Sequence, residues 1–117
     1  MSAVEFWPSP IDPDIRRKLR EGLRGKGELQ LGDVLKLYRD QEGRCAVSGI
    51  AFSLEPRITH AFVKHPFAPS VDRIDCQQGY QLGNVRLVLT IINFALGEWG
   101  DDVFWTVIQG CVKHGRL

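Results

Sequence analysis

Residues 69–97, PSVDRIDCQQGYQLGNVRLVLTIINFALG, decide the fold of this chain. The stretch opens with apolar residues on both sides of Asp72-Arg73, a pattern that favours a short strand. A glycine-containing turn follows, and Asn84 then introduces a second β-prone run at 85–88. The remaining residues can form a short helix with Asn93 near its start. This order of elements can bring one carboxylate and one side-chain amide together over a bound metal ion.

The stretch resembles the metal-binding core of the HNH nucleases, whose fold is a ββα-metal unit. The likeness is to a phage and prophage subgroup with the string S-[VL]-D-R-I-D, then G-Y, G-N-V and I-N. Ten residues separate Arg73 from Asn84 and eight separate Asn84 from Asn93, which fits the family spacing. The resemblance extends over roughly residues 35–110. It implies a hydrolase of phage or prophage origin, a metal-dependent endonuclease acting on DNA.

The resemblance also implies a role for each motif position. Asp72 and Asn93 are the metal ligands, and Asn84 holds the connecting loop and orients the first motif position through side-chain hydrogen bonds. Carboxylate and amide oxygens are hard ligands, so we expect a divalent metal, Mg²⁺ or Mn²⁺, as cofactor. A plainer interpretation stays open, in which Asp72 caps a turn and pairs with Arg73 or Arg86 while Asn93 caps a helix.

Arg73 occupies the position where an HNH enzyme usually has its general-base histidine. A guanidinium stays protonated and has no acceptor atom, so it cannot take a proton from water. It can donate a bidentate pair of hydrogen bonds to a phosphate. The base is then His65, His60 or Asp75, or the domain has no base and does not catalyse.

Many HNH proteins brace this unit with zinc, held by two Cys-x2-Cys pairs. The corresponding positions here are Cys45 with Ser48 and Leu89 with Ile92. Apolar side chains cannot bind zinc, so we expect no structural zinc and hydrophobic packing in its place.

A basic stretch precedes the core, although the net charge of the chain is only +1. Its cations are Arg16, Arg17, Lys18, Arg20, Arg24 and Lys26. A local basic stripe can bind phosphate, and a solvated helix face is the alternative. The predicted contacts to DNA are Arg16, Arg17, Arg20, Arg24 and, from the core, Arg86.

The whole chain predicts one α+β domain, an HNH-like ββα-metal core with flanking N- and C-terminal helices. Residues 1–12 predict an irregular arm and residues 13–117 the single HNH-like domain. Within it we expect a helical approach at 13–43, the core at about 70–97 and a C-terminal helix at about 101–113.

Three local signals refine this organisation. Asp12 before Pro13 predicts a helix start, since a carboxylate caps the helix and proline needs no N–H there. Asp33 is predicted to cap a second helix. Helical spacing of apolar residues predicts a last helix packed in the core. Its core residues are Val103, Phe104, Val107, Ile108 and Cys111, with Trp99 and Trp105 packing it onto the domain.

Composition sets the compartment and the rival functions. A hydrophobic content of 44% and a charged content of 25% are ordinary for a soluble globular protein. No apolar run approaches the ~20 residues of a membrane span, and no signal peptide is apparent, so we expect a cytoplasmic protein without a membrane partner. One rival is a catalytically silent HNH-derived domain that binds nucleic acid or a protein partner. The other is an unrelated α+β interaction module.

Overall fold

The computed structural model describes residues 10–57 and 64–115. In chain order the elements are α1 (Pro13–Glu21), α2 (Leu31–Asp40), β1 (Pro69–Arg73), β2 (Val85–Leu89), α3 (Thr90–Leu96) and α4 (Asp101–His114). A single 3-10 turn, Leu82–Asn84, precedes β2. The predicted α+β class is confirmed.

The two strands pair antiparallel and place Asp72 directly opposite Arg86. The strand β2 forms the centre of the core, because Leu87, Val88 and Leu89 are at most 1% exposed. The helix α3 follows β2 with no intervening residue. Its first residue, Thr90, ties it to the chain before β1, with both the backbone N–H and the side-chain hydroxyl donating to Ala68 O, at 2.9 and 3.0 Å. Consequently α3 lies back against the strand pair.

The start of α1 is where the sequence predicts it. Asp12 Oδ1 accepts hydrogen bonds from the N–H groups of Asp14 and Ile15, at 2.7 and 3.3 Å, and Pro13 occupies the first helical turn. The apolar stripe packs inward, since Ile15 and Leu19 are 5% and 1% exposed. The basic side chains of α1 are thereby left on its outer faces.

The helix α2 begins earlier than predicted, at Leu31, so the assignment of Asp33 as its N-cap is wrong. Asp33 is the third residue of the helix, and its carboxylate accepts a hydrogen bond from Gln30 N at 3.0 Å. An acidic side chain at this position bonds the backbone N–H of the N-cap residue, as in a capping box. At the C-terminal end of α2, the side chain of Gln41 bonds the backbone of Leu87 in β2. Gln41 Nε2 donates to Leu87 O at 2.9 Å, and Gln41 Oε1 accepts the N–H of Leu87 at 3.0 Å.

The prediction that α4 is packed in the core is wrong for most of its apolar residues. Only Phe104 is buried, at 7% exposure, while Val103 and Val107 are 47% and 58% exposed. Trp99 and Trp105 are exposed as well, at 71% and 43%. Cys111 is also exposed. Helical spacing identifies the apolar side of a helix but does not show how much of that side the domain covers.

Residues 1–9 of the predicted arm, including Trp7, lie outside the described part of the chain. Just after them, Ile11 is buried in the main core at 8% exposure. Among the described residues, no helix is long and apolar enough to cross a membrane.

Candidate metal and nucleic-acid site

Asp72 lies at the end of β1 and is held by the strand pairing. It is 8% exposed, and its Oδ2 accepts a hydrogen bond from Arg86 Nε at 2.9 Å. No other donor of the described residues reaches the carboxylate, which leaves Oδ1 free to bind a ligand. Burial raises the pKa of Asp72, and the hydrogen bond from Arg86 opposes that rise.

Arg86 links β2 to the start of α4. Its two terminal nitrogens bind both oxygens of Asp101, at 2.6 and 3.1 Å. These bonds raise the pKa of Arg86 and lower the pKa of Asp101. Three of the five N–H groups of Arg86 are thus bonded to carboxylates, and one of these bonds holds Asp72. The predicted contact of Arg86 with DNA stays a prediction.

Asn93 reaches the strand pair from α3. Its amide nitrogen donates to Ser70 Oγ at 2.6 Å and to Val71 O at 3.4 Å. Within the described part of the chain no donor reaches Asn93 Oδ1, which leaves this oxygen as an available ligand. Asp72 and Asn93 line the same cleft of about 160 Å³, which we call the central cleft.

Asn84 holds the loop between the strands. The residue is 8% exposed, and its Oδ1 accepts the N–H of Asp75 at 2.9 Å. Its Nδ2 donates to the carbonyl oxygens of Asp75 and Gly79, both at 3.0 Å. These are the loop-holding contacts that the resemblance implies for this position. The side chain does not bond Asp72 itself, so it orients the first motif position only through the loop that follows β1.

Replacing Asn84 by alanine should lower the free energy of unfolding by about 2–3 kcal/mol, because it removes three hydrogen bonds to the loop backbone and leaves the N–H of Asp75 without a partner. Urea denaturation followed by circular dichroism measures this change. Gln81→Ala, in the exposed part of the same loop, is the control and should change it by less than about 0.5 kcal/mol. Equal effects of the two replacements would contradict the anchoring role.

Arg73 lies at the rim of the central cleft. Its guanidinium is 5.0 Å from the centre of the Tyr80 ring, and Lys26 Nζ lies 4.7 Å from the same ring. Arg73 also makes a long hydrogen bond to Gln78 O at 3.4 Å. Two cations therefore share one aromatic ring beside Asp72 and Asn93, and both line the central cleft.

A larger cleft of about 420 Å³, the basic cleft, adjoins the central cleft. Lys26, Val71 and Asn93 line both of them. Among the described residues, the cations of the basic cleft are Lys18, Arg24, Lys26 and Lys64, and the carboxylate is Glu21. A cleft with this charge is chemically suited to a phosphate backbone.

The other arginines of the basic stretch lie elsewhere. Arg16, Arg17 and Arg20 are exposed but line neither cleft. Arg17 pairs with Asp14 and Glu21 on the surface of α1, at 3.2 and 3.8 Å. Their contact with DNA stays a prediction, as does that of Arg24, which lines the basic cleft.

His65 is 8% exposed and lies in the wall of the basic cleft. Its Nε2 is 3.0 Å from Pro56 O, and its Nδ1 accepts the N–H of Phe67 at 3.1 Å. Since a carbonyl oxygen only accepts, Nε2 carries the proton. His65 could therefore take a proton only by giving up the bond from Phe67. His60, the other candidate histidine, lies outside the described residues.

Asp75 is exposed and lies in a third cleft, of about 200 Å³, which we call the outer cleft. Its carboxylate accepts hydrogen bonds from Gln77 N and Gln78 Nε2, at 2.9 and 3.2 Å. Asp72 and Arg73 line both the outer and the central cleft. Of the candidate bases in the described part of the chain, Asp75 is the one that lines a cleft together with Asp72.

Cys45 is the residue that the motif resemblance aligns with the first zinc ligand of HNH proteins. It is buried, and its sulfur accepts N–H bonds from Ser48 and Leu89, at 3.4 and 3.3 Å. Burial acts to raise the pKa of Cys45, but hydrogen bonds from the Ser48 side chain and from neighbouring backbone N–H groups outweigh it and leave the pKa below its ordinary value. The turn is held by hydrogen bonds to sulfur as well as by packing. The absence of structural zinc stays a prediction.

Sequence reasoning missed three residues of the site. Asp101 holds Arg86, and Lys64 and Phe94 line the basic cleft. The sequence shows that Asp101 stands at the acidic start of a helix, but it does not show that Arg86 is its partner. Phe94 had one usable signal, since it directly follows the motif residue Asn93.

Comparisons of this chain with protein-family models, with curated proteins and with solved structures find no match. What the site does is therefore inferred from its own side chains and from the motif resemblance.

Proposed function

We propose that this protein is a metal-dependent DNA endonuclease of the HNH type. The observation that carries the proposal is the shared central cleft of Asp72 and Asn93, which come from different elements of a strand, loop, strand and helix unit. Its second support is the adjoining basic cleft, which offers cations to a phosphate backbone.

The residues present fit a divalent metal. Asp72 Oδ1 and Asn93 Oδ1 accept no hydrogen bond from the described residues, and both are hard oxygen donors. The described part of the chain has no cluster of three or more His, Cys, Asp or Glu side chains that would hold a metal, so the proposed site depends on one carboxylate and one amide. Two protein ligands leave room for water and substrate, as Mg²⁺ sites commonly do. When bound, the ion would stabilise negative charge on the phosphate and on the leaving oxygen.

The protein side chains around this site have separate tasks. Arg86 holds Asp72 in place, and Asp101 balances the charge of Arg86. Arg73 clamps the phosphate, because its guanidinium lies at the cleft rim and donates to anionic oxygens in pairs. Asp75 accepts the proton of the attacking water, since its carboxylate has lone pairs beyond those bonded to Gln77 and Gln78. The one unprotonated nitrogen of His65 already accepts the N–H of Phe67.

A nicking assay on supercoiled plasmid tests the proposal. Protein with Mg²⁺, Mn²⁺, Ni²⁺ or Zn²⁺ should convert the plasmid to nicked or linear form with at least one of these ions, and chelation should stop the reaction. Loss of the supercoiled form in the presence of chelator, or no cleavage with any ion, would overturn the proposal.

The second candidate function is a silent HNH-derived domain that binds nucleic acid or a protein. It is favoured by the pairing of Asp72 with Arg86, because this ion pair can hold the strands together without a metal. A thermal melt separates the two functions. If the protein has a metal-binding site, Mn²⁺ should raise its melting temperature. If it is a silent domain without a metal site, Mn²⁺ should leave the melting temperature unchanged.

The basic cleft gives a prediction with a matched control. Replacing Lys18, Arg24 and Lys26 together by glutamine should weaken DNA binding and reduce the slope of log K against log salt by about 0.9 for each duplex phosphate that the protein no longer neutralises. Replacing Arg16, Arg17 and Arg20 removes the same charge from outside the cleft and should change the slope less. Fluorescence anisotropy across a salt series measures both slopes. If the control set reduces the slope more than the cleft set does, the outer face of α1 binds DNA and the basic cleft does not.

A further inference from the structure

Phe94 is an exposed aromatic side chain within the basic cleft. It follows Asn93 on α3, it is 65% exposed, and it lines the cleft of about 420 Å³. A single exposed apolar ring is common on protein surfaces and by itself needs no explanation. What distinguishes Phe94 is its place in a cleft lined by cations.

Cations surround this ring. Lys64 Nζ lies 5.9 Å from the ring centre, and Lys18, Arg24 and Lys26 line the same cleft. The carboxylate of Glu21, which lines the same cleft, is partly neutralised by Lys18 at 3.7 Å. An aromatic ring inside a positively charged cleft is the arrangement that binds single-stranded nucleic acid, with bases stacked on rings and phosphates along the cations.

We propose that the basic cleft binds unpaired nucleotides of DNA, with one base stacked on Phe94 and the backbone held by Lys26 and Lys64. The faces of a base become available for such stacking only when the base leaves the duplex. If the proposed function holds, the substrate is DNA that is single-stranded next to the cleavage site. This assignment of a substrate rests on the proposed function. Because Asn93 precedes Phe94 on the same helix and lies between the two clefts, the stacked base is adjacent to the predicted metal position.

Binding of a labelled oligothymidylate, compared with a hairpin duplex of the same length, tests this inference by fluorescence anisotropy in chelator. Phe94→Ala should weaken binding of the single strand about tenfold or more and leave duplex binding within about twofold. Phe94→Tyr should retain single-strand binding, since it keeps the ring. Trp99→Ala is the matched control, because it removes an even more exposed aromatic residue, at 71%, that lines the outer cleft instead.

Equal weakening of single-strand and duplex binding would identify Phe94 as a wedge in duplex DNA and overturn the inference, as would unchanged binding of the single strand. Thermal melting curves of Phe94→Ala, Phe94→Tyr and Trp99→Ala check that each variant is folded before its binding is compared. The assay contains no metal, so a protein that never cleaves DNA can still bind the single strand through Phe94. Conversely, a protein that cleaves duplex DNA with an unchanged rate in Phe94→Ala would refute only this inference.

Discussion

Replacing Asp72 by asparagine should lower metal-dependent plasmid cleavage about 10³-fold, equivalent to about 4 kcal/mol of transition-state stabilisation. Asparagine is close in shape and can still accept the hydrogen bond from Arg86 Nε, so the strand pairing should survive. The variant lacks the one carboxylate charge among the two proposed ligands. The stabilisation of the protein by Mn²⁺ should disappear in the same variant.

Asp102→Asn is the control for this experiment. Asp102 is exposed on the first turn of α4 and lines none of the three clefts, so its neutralisation should leave the rate unchanged. Cleavage by the Asp72 variant at the rate of the unmodified protein would remove Asp72 from the metal site.

Replacing Arg73 by histidine should raise the cleavage rate about 10²-fold, the lower range of what a positioned general base contributes. Histidine restores the residue type that the HNH family usually has here. Arg73→Ala should lower the rate, because the phosphate then has no guanidinium to stabilise its developing charge. Single-turnover cleavage assays with saturating metal measure both changes.

The role proposed for Asp75 gives this experiment an internal control. Asp75→Asn should slow the unmodified protein strongly but slow the Arg73→His variant much less, because histidine then takes the proton. If Asp75→Asn costs the same factor in both backgrounds, Asp75 is not the base. If both Arg73 variants and the unmodified protein are inactive with every divalent ion, the silent binding domain is the better description.

Local chemistry in the sequence was enough for several parts of this structure. The Asp12-Pro13 pair starts α1, since both residues act through backbone groups within one helical turn. The order of β1, β2 and α3 was readable because strand and turn signals act over a few residues. The loop-holding contacts of Asn84 are also local, for its partners lie within nine residues along the chain.

The tertiary structure decided which distant groups meet. Arg86 is a cation on a β-prone run, and nothing in the sequence tells whether it turns to a phosphate or to Asp101, fifteen residues away. His65 shows the same limit, because its availability as a base depends on Pro56 and Phe67. The helix α4 is apolar by periodicity, yet only Phe104 is buried there. Sequence determines what each side chain can bond and which side of a helix is apolar, whereas packing across the whole domain selects the partner, because burial and ion pairing depend on which surfaces the fold brings together.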